Sequence, residues 1–145
     1  MVGCGREPAF ADRSARVTVD GETTTYHVDA CGLDGETVFL VARADDGSVV
    51  QAVIGVERDG TTGVPDSTGI TVTAADRSMA AFGPESWTRR GGDGEAPGSI
   101  TGALVRGARI QARGEAQPVD ADDRPIAGSP VAISFDARCD ERDTG

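Results

Sequence analysis

Thr37-Val38-Phe39-Leu40-Val41-Ala42-Arg43-Ala44-Asp45-Asp46-Gly47-Ser48-Val49-Val50-Gln51-Ala52-Val53-Ile54-Gly55-Val56 is two β-rich runs around one tight turn. Asp-Gly between such runs is the strongest short hairpin signal, because both residues tolerate a positive φ. Val49–Val56 is nearly continuous apolar, which predicts a strand covered on both faces. Moving outward, Asp20-Gly21, Asp34-Gly35 and Asp59-Gly60 continue the punctuation at intervals of 12 to 14 residues, the rhythm of an antiparallel meander. Arg16–Asp20 and Thr23–Cys31 fill the gaps on the N-terminal side. On the C-terminal side, strands are predicted at Gly69–Thr73, Ser99–Val105, Ala108–Glu115 and Val131–Cys139. In the last of these Val131, Ile133, Phe135, Ala137 and Cys139 share one face and point to the core. Thr73–Phe82 (TAADRSMAAF) is rich in Ala and reads as a helical turn capped by Thr73, with an edge strand as the alternative. Gly83–Gly98 reads as a long irregular loop carrying Trp87 and a further Asp93-Gly94. About eight short strands predict an all-β domain, an antiparallel β-sandwich or small open barrel with one short helix near Thr73–Phe82.

The 145 residues carry 24 acidic and 14 basic side chains, a formal net charge of −10. That length predicts one domain with a core of its own. The acidic balance argues against nucleic acid, whose affinity comes from phosphates neutralised by clustered Lys and Arg. All basic residues are Arg, which excludes a Schiff-base or P-loop lysine. With 6 aromatic residues, the core must be largely aliphatic.

No apolar run approaches the roughly 18 residues of a membrane span, and the first 15 positions lack the basic and apolar regions of a secretory signal. Met1-Val2-Gly3-Cys4 nevertheless has the form of the end of a bacterial lipobox. On that reading Cys4 is the lipidated first residue of the mature chain; on the other it is a chance Cys. Residues 1–15 then form a lipobox remnant and tether, 16–139 the β-domain and 140–145 a charged tail. Cys31 and Cys139 remain as an even pair. A bridge between them would require an oxidising compartment and close a loop of about 110 residues, worth roughly 4–5 kcal/mol in the chain-entropy model. Two buried thiols are the alternative.

Catalytic constellations are sparse. His27 is the single imidazole and sits in mid-strand, no Gly-x-Ser-x-Gly occurs, and His27 therefore reads as a packed or surface histidine. With so many carboxylates, no one pair stands out for a glycosidase. Val119–Arg124 lacks the Gly and distal Glu of a calcium loop, and one His without Cys-x-x-Cys gives no zinc site. No catalytic residue, metal or cofactor is expected. Trp87, Arg89 and Arg90 have the composition of a binding hot spot, against the plainer reading that Trp87 folds back over an apolar edge.

Val17-Thr18-Val19-Asp20-Gly21 followed by Cys31, then Gly114-Glu115-Ala116-Gln117-Pro118-Val119-Asp120, then Ser129-Pro130-Val131-Ala132-Ile133-Ser134-Phe135-Asp136 with Cys139 behind it, stand in an order that resembles mycobacterial and actinobacterial LpqH-type lipoprotein antigens. The resemblance runs from Arg16 to Cys139, and between Gly60 and Gly98 it is one of character only. It implies a non-enzymatic, extracytoplasmic envelope lipoprotein, held in the bilayer through acylated Cys4 and bridged from Cys31 to Cys139. A host receptor or another protein would be its partner. The tether here is short and poor in Ser and Thr, unlike the glycosylated linker usual in that family, and the last strand is shorter before its Cys. The alternative function is a soluble secreted module that grips a protein or a small apolar ligand through the Gly83–Gly98 loop or an inter-sheet pocket.

Overall fold

Asp20 and Gly21 have φ of 54° and 85° and join register partners Val19 and Glu22, the geometry of a two-residue type I′ hairpin. At Asp46-Gly47 the Ala44 N–H donates to the Ser48 carbonyl at 2.8 Å. The Asp46 carboxylate accepts the Ser48 N–H at 2.8 Å, and Gly47 takes a φ of 92°. These bonds to Ser48 hold the Asp46 carboxyl below its usual range. The computed structural model describes residues 13–34, 37–57, 63–74, 78–92, 94–106, 109–120, 124–126 and 128–138. The expected turn at Asp59-Gly60 lies outside them.

The strands are β1 (Ser14–Val19), β2 (Glu22–Asp34), β3 (Thr37–Arg43), β4 (Val49–Val56), β5 (Gly63–Thr73), β6 (Ser78–Phe82), β7 (Ser99–Arg106), β8 (Arg109–Val119) and β9 (Val131–Arg138), with one helix, α1 (Pro84–Arg89), after β6. All pairings are antiparallel. Strands β9-β1-β2-β3-β4-β5-β6-β8 follow one another, and β8 returns to β9, closing an eight-stranded barrel. β8 is long enough to serve three neighbours. Its residues 109–116 pair with β9 on one edge, while 109–115 pair with β7 and 117–119 with β6 on the other. β7 is therefore a ninth strand sharing β8's edge with β6. Closure pairs edges that an open sheet would leave exposed.

The barrel is dry inside and polar outside, the reverse of a membrane barrel. Val17, Leu40, Ile54, Ile70, Ile110 and Phe135 are almost wholly buried and belong to one continuous interior cluster, as a narrow barrel requires. On β9, Ile133, Phe135 and Ala137 point inward as expected, while Ala132 and Ser134 point out. Val49–Val56 is not covered on both faces throughout. Gln51 is exposed and Val53 is 39% exposed, because a barrel wall has one dry side. Only its last residues are enclosed, where the bulge of β5 folds over Gly55, leaving no space for a Cβ beside Ser67.

Two local expectations need correction. Ser78–Phe82 is a strand between β5 and β8, and not part of a helical turn. The short helix lies instead within Gly83–Gly98, the segment expected to be irregular. Pro84 at its first position, Glu85 in the first turn and Arg89 in the last are its start and stop signals. β1 also begins at Ser14, ahead of the expected Arg16, and Ala15 is already buried.

A polar corner joins α1 to the bulge of β5. The Thr68 hydroxyl donates to the Val64 carbonyl at 2.9 Å and accepts the Gly55 N–H at 3.3 Å. The Ser86 hydroxyl reaches the carbonyls of Thr68 and Gly83 at 2.8 and 3.0 Å, and Ser67 donates to Glu85. Gly83 is required here by close approach, since a Cβ would lie 2.2 Å from the Pro65 carbonyl oxygen.

Candidate functional site

A half-open groove of about 430 Å³ lies across β7, β8 and β9. Two register rows of outward-facing residues bound it, Gly102–Arg113–Ser134 at one end and Leu104–Gln111–Asp136 at the other. Between the rows, Ala112 and Phe135 turn their side chains to the core and so present backbone as the floor. β7 carries an extra residue at Thr101, where its register with β8 shifts. The Thr101 hydroxyl donates to the Arg113 carbonyl at 3.3 Å. Such a bulge bends a strand and re-aims its neighbours. Gly102 leaves a gap that the Arg113 side chain crosses, its Nε lying 3.3 Å from where a Cβ would stand.

Charge in the groove is unevenly matched. Arg109 grips Asp136 with both arms, Nε to Oδ1 at 2.7 Å and Nη2 to Oδ2 at 2.8 Å. Arg113 is exposed, and its guanidinium makes no ion pair among the described residues. Beyond the Asp136 end, Arg106 and Arg138 are the register partners of Arg109, and Arg16 on β1 is the partner of Asp136. Five arginines thus gather on neighbouring strands β1, β9, β8 and β7 of a chain whose net charge is −10.

The residues singled out in the sequence lie elsewhere. Trp87 is 5% exposed and packs with Ala80, Phe82 and Val119, its ring 5.3 Å from that of Phe82 and tilted by 52°. It covers an apolar edge and offers no aromatic surface to a partner. Arg90 lies 5.4 Å over the Phe82 ring, while Arg89 is tied to Glu85 at 2.9 Å. The trio therefore does not make one exposed cluster. The interior cluster occupies the space that an inter-sheet pocket would need. His27 is exposed on β2, with Nε2 3.9 Å from Asp45. Burial, reinforced by the Asp46 carboxylate, pushes the Tyr26 phenol up. Among the described residues no three His, Cys, Asp or Glu converge as metal ligands. Cys31 sits half-buried on β2 against the core, and Cys4 and Cys139 lie outside the described residues.

Sequence reasoning missed Arg113, Gln111 and Ser134. The alternation Arg109-Ile110-Gln111-Ala112-Arg113 does mark an outward polar row, but only the strand register brings Ser134 and Gly102 beside it. No protein-family model matches the chain, and no curated protein matches it in sequence.

Proposed function

We propose that this chain is a non-enzymatic envelope lipoprotein, anchored through acylated Cys4 and displaying its β-barrel outside the cytoplasm, with a bridge from Cys31 to Cys139. The observation that carries this reading is the placement of Cys31, half-buried on β2 against the core, where a bridge would be shielded. Persistent disulfides belong to oxidising compartments. The resemblance to LpqH-type lipoproteins supplies Cys139 as its partner. β9 ends at Arg138 opposite Ser14, and Ser14 is opposite His27, from which β2 runs on towards Cys31. The order of motifs shared with LpqH-type lipoproteins and the Met1–Cys4 stretch support the anchor. Acyl chains contribute about 0.8 kcal/mol per buried methylene, enough to hold a domain whose charge opposes an anionic surface. No helix among the described residues is long and apolar enough to cross a membrane.

Intact mass and non-reducing peptide mapping of the protein from its native host test the reading. The expected result is an acylated Cys4 together with a Cys31–Cys139 crosslinked peptide. A free, unmodified Cys4 thiol overturns the anchor. The β7–β8–β9 groove favours a second reading, a secreted binding module without lipid, which the same mass measurement separates from the first.

A further inference from the structure

We propose that the groove on β7, β8 and β9 binds a small soluble oxyanion, a carboxylate or phosphate monoester with a short apolar substituent, and that Arg113 is its charged anchor. The inference concerns the barrel wall and does not depend on the lipid anchor.

Pairing is the first argument. Acidic side chains outnumber basic ones by 24 to 14, so carboxylates are in good supply for exposed arginines. Arg43 has Asp29 at 2.8 Å, Arg89 has Glu85 at 2.9 Å and Arg109 has Asp136 at 2.7 Å. Arg106, Arg113 and Arg124 have no such carboxylate among the described residues, and of these Arg113 alone lines the groove. A guanidinium fork presents donors that match a carboxylate or phosphate.

The walls supply the rest. Asp136 is the one acid lining the groove, and the two bonds from Arg109 offset its charge. Ser134 is the register partner of Arg113, close enough across the strands to add a hydroxyl donor to the same oxyanion. Gln111 offers an amide next along the outward row, and half-buried Leu104 opposite it gives an apolar contact. The Thr101 bulge and the missing side chain of Gly102 make room at that end for the Arg113 side chain. A volume of about 430 Å³ suits a small molecule. A long polyanion or an anionic bilayer would have to approach the full −10 charge, which the field of the chain resists.

The test is an amide ¹H–¹⁵N titration of the full chain with hexyl phosphate and with hexanoate, using hexyltrimethylammonium as the opposite charge. The expected result is saturable shifts at Leu104, Gln111, Arg113 and Ser134 with at least one of the two anions, and none there with the cation. Arg113→Gln should weaken binding by about tenfold or more, since it removes a charge-assisted bond. Ser134→Ala should weaken it by a smaller factor, Arg113→Lys should retain part of it through the charge without the fork, and Arg43→Gln should leave it unchanged. Unchanged affinity in Arg113→Gln, equal shifts with the cation, or shifts spread without saturation over all the arginines would overturn the proposal. So would sedimentation with phosphatidylglycerol vesicles in the absence of any response to the soluble anions.

Discussion

At the corner between α1 and β5, Ser67, Thr68 and Ser86 are buried and every hydroxyl has a partner, whereas in the groove the polar side chains stand near solvent and Arg113 has no counter-ion among the described residues. The two regions obey one rule from opposite sides. A polar group removed from water must be bonded, at a cost of about 1–3 kcal/mol if it is not. The corner therefore explains itself as architecture, a polar clasp holding the helix onto the bulge. Solvent already satisfies Arg113, so folding does not fix its placement, and the proposed anion is the use that the groove gives it. Trp87 and Arg113 invert the roles their compositions suggest. The aromatic that resembles a hot spot is architectural, and an unremarkable arginine in a strand lies open.

Substitutions can break or sharpen this contrast. Trp87→Ala should have the largest effect, a loss of about 3–5 kcal/mol, read from urea unfolding by far-UV circular dichroism. An effect below about 1 kcal/mol would mean that the packing of α1 over β6 and β8 contributes little to the fold. Thr68→Val keeps the shape but leaves the Gly55 N–H without its acceptor and should cost about 1–3 kcal/mol. Because Trp87 is the single tryptophan, its fluorescence in that variant will tell whether the corner loosens before the barrel. On the groove side, Arg109→Gln should cost at most about 1 kcal/mol, since both partners of that pair are about a third exposed. Arg113→Gln should be smallest of all, within about 0.5 kcal/mol by the same melts. A large loss there would turn Arg113 into a structural residue and remove the contrast.

The hairpins were legible because Asp20-Gly21 and Asp46-Gly47 carry their backbone geometry in their own side chains. The alternation of Val131, Ile133, Phe135 and Ala137 likewise announced an inward face. Ser78–Phe82 was misread because its alanines report available space and not helix preference. Ala80 and Ala81 are fully buried, Ala80 against the Trp87 cluster and Ala81 in the main core. The helix signals of Pro84 and Glu85 were present but sat in a stretch dominated by glycine. Closure could not be read at all, since it depends on β8 meeting β6, β7 and β9 along different parts of its length. The groove fails to show for the same reason, its rows joining Gly102, Arg113 and Ser134 from three separate strands.

Ser14 and Arg138 are register partners on adjacent strands, so the first and last strands of the barrel lie side by side with their outer ends together. The order in which the strands are strung is then nearly incidental to the barrel, as in folds that accept circular permutation. A short linker from Arg138 back to Ser14, with a new start cut at Asp20-Gly21, would leave each strand beside its present neighbours. The same adjacency puts the outer ends of the first and last strands on one rim, opposite the rim that carries the Asp20-Gly21 turn.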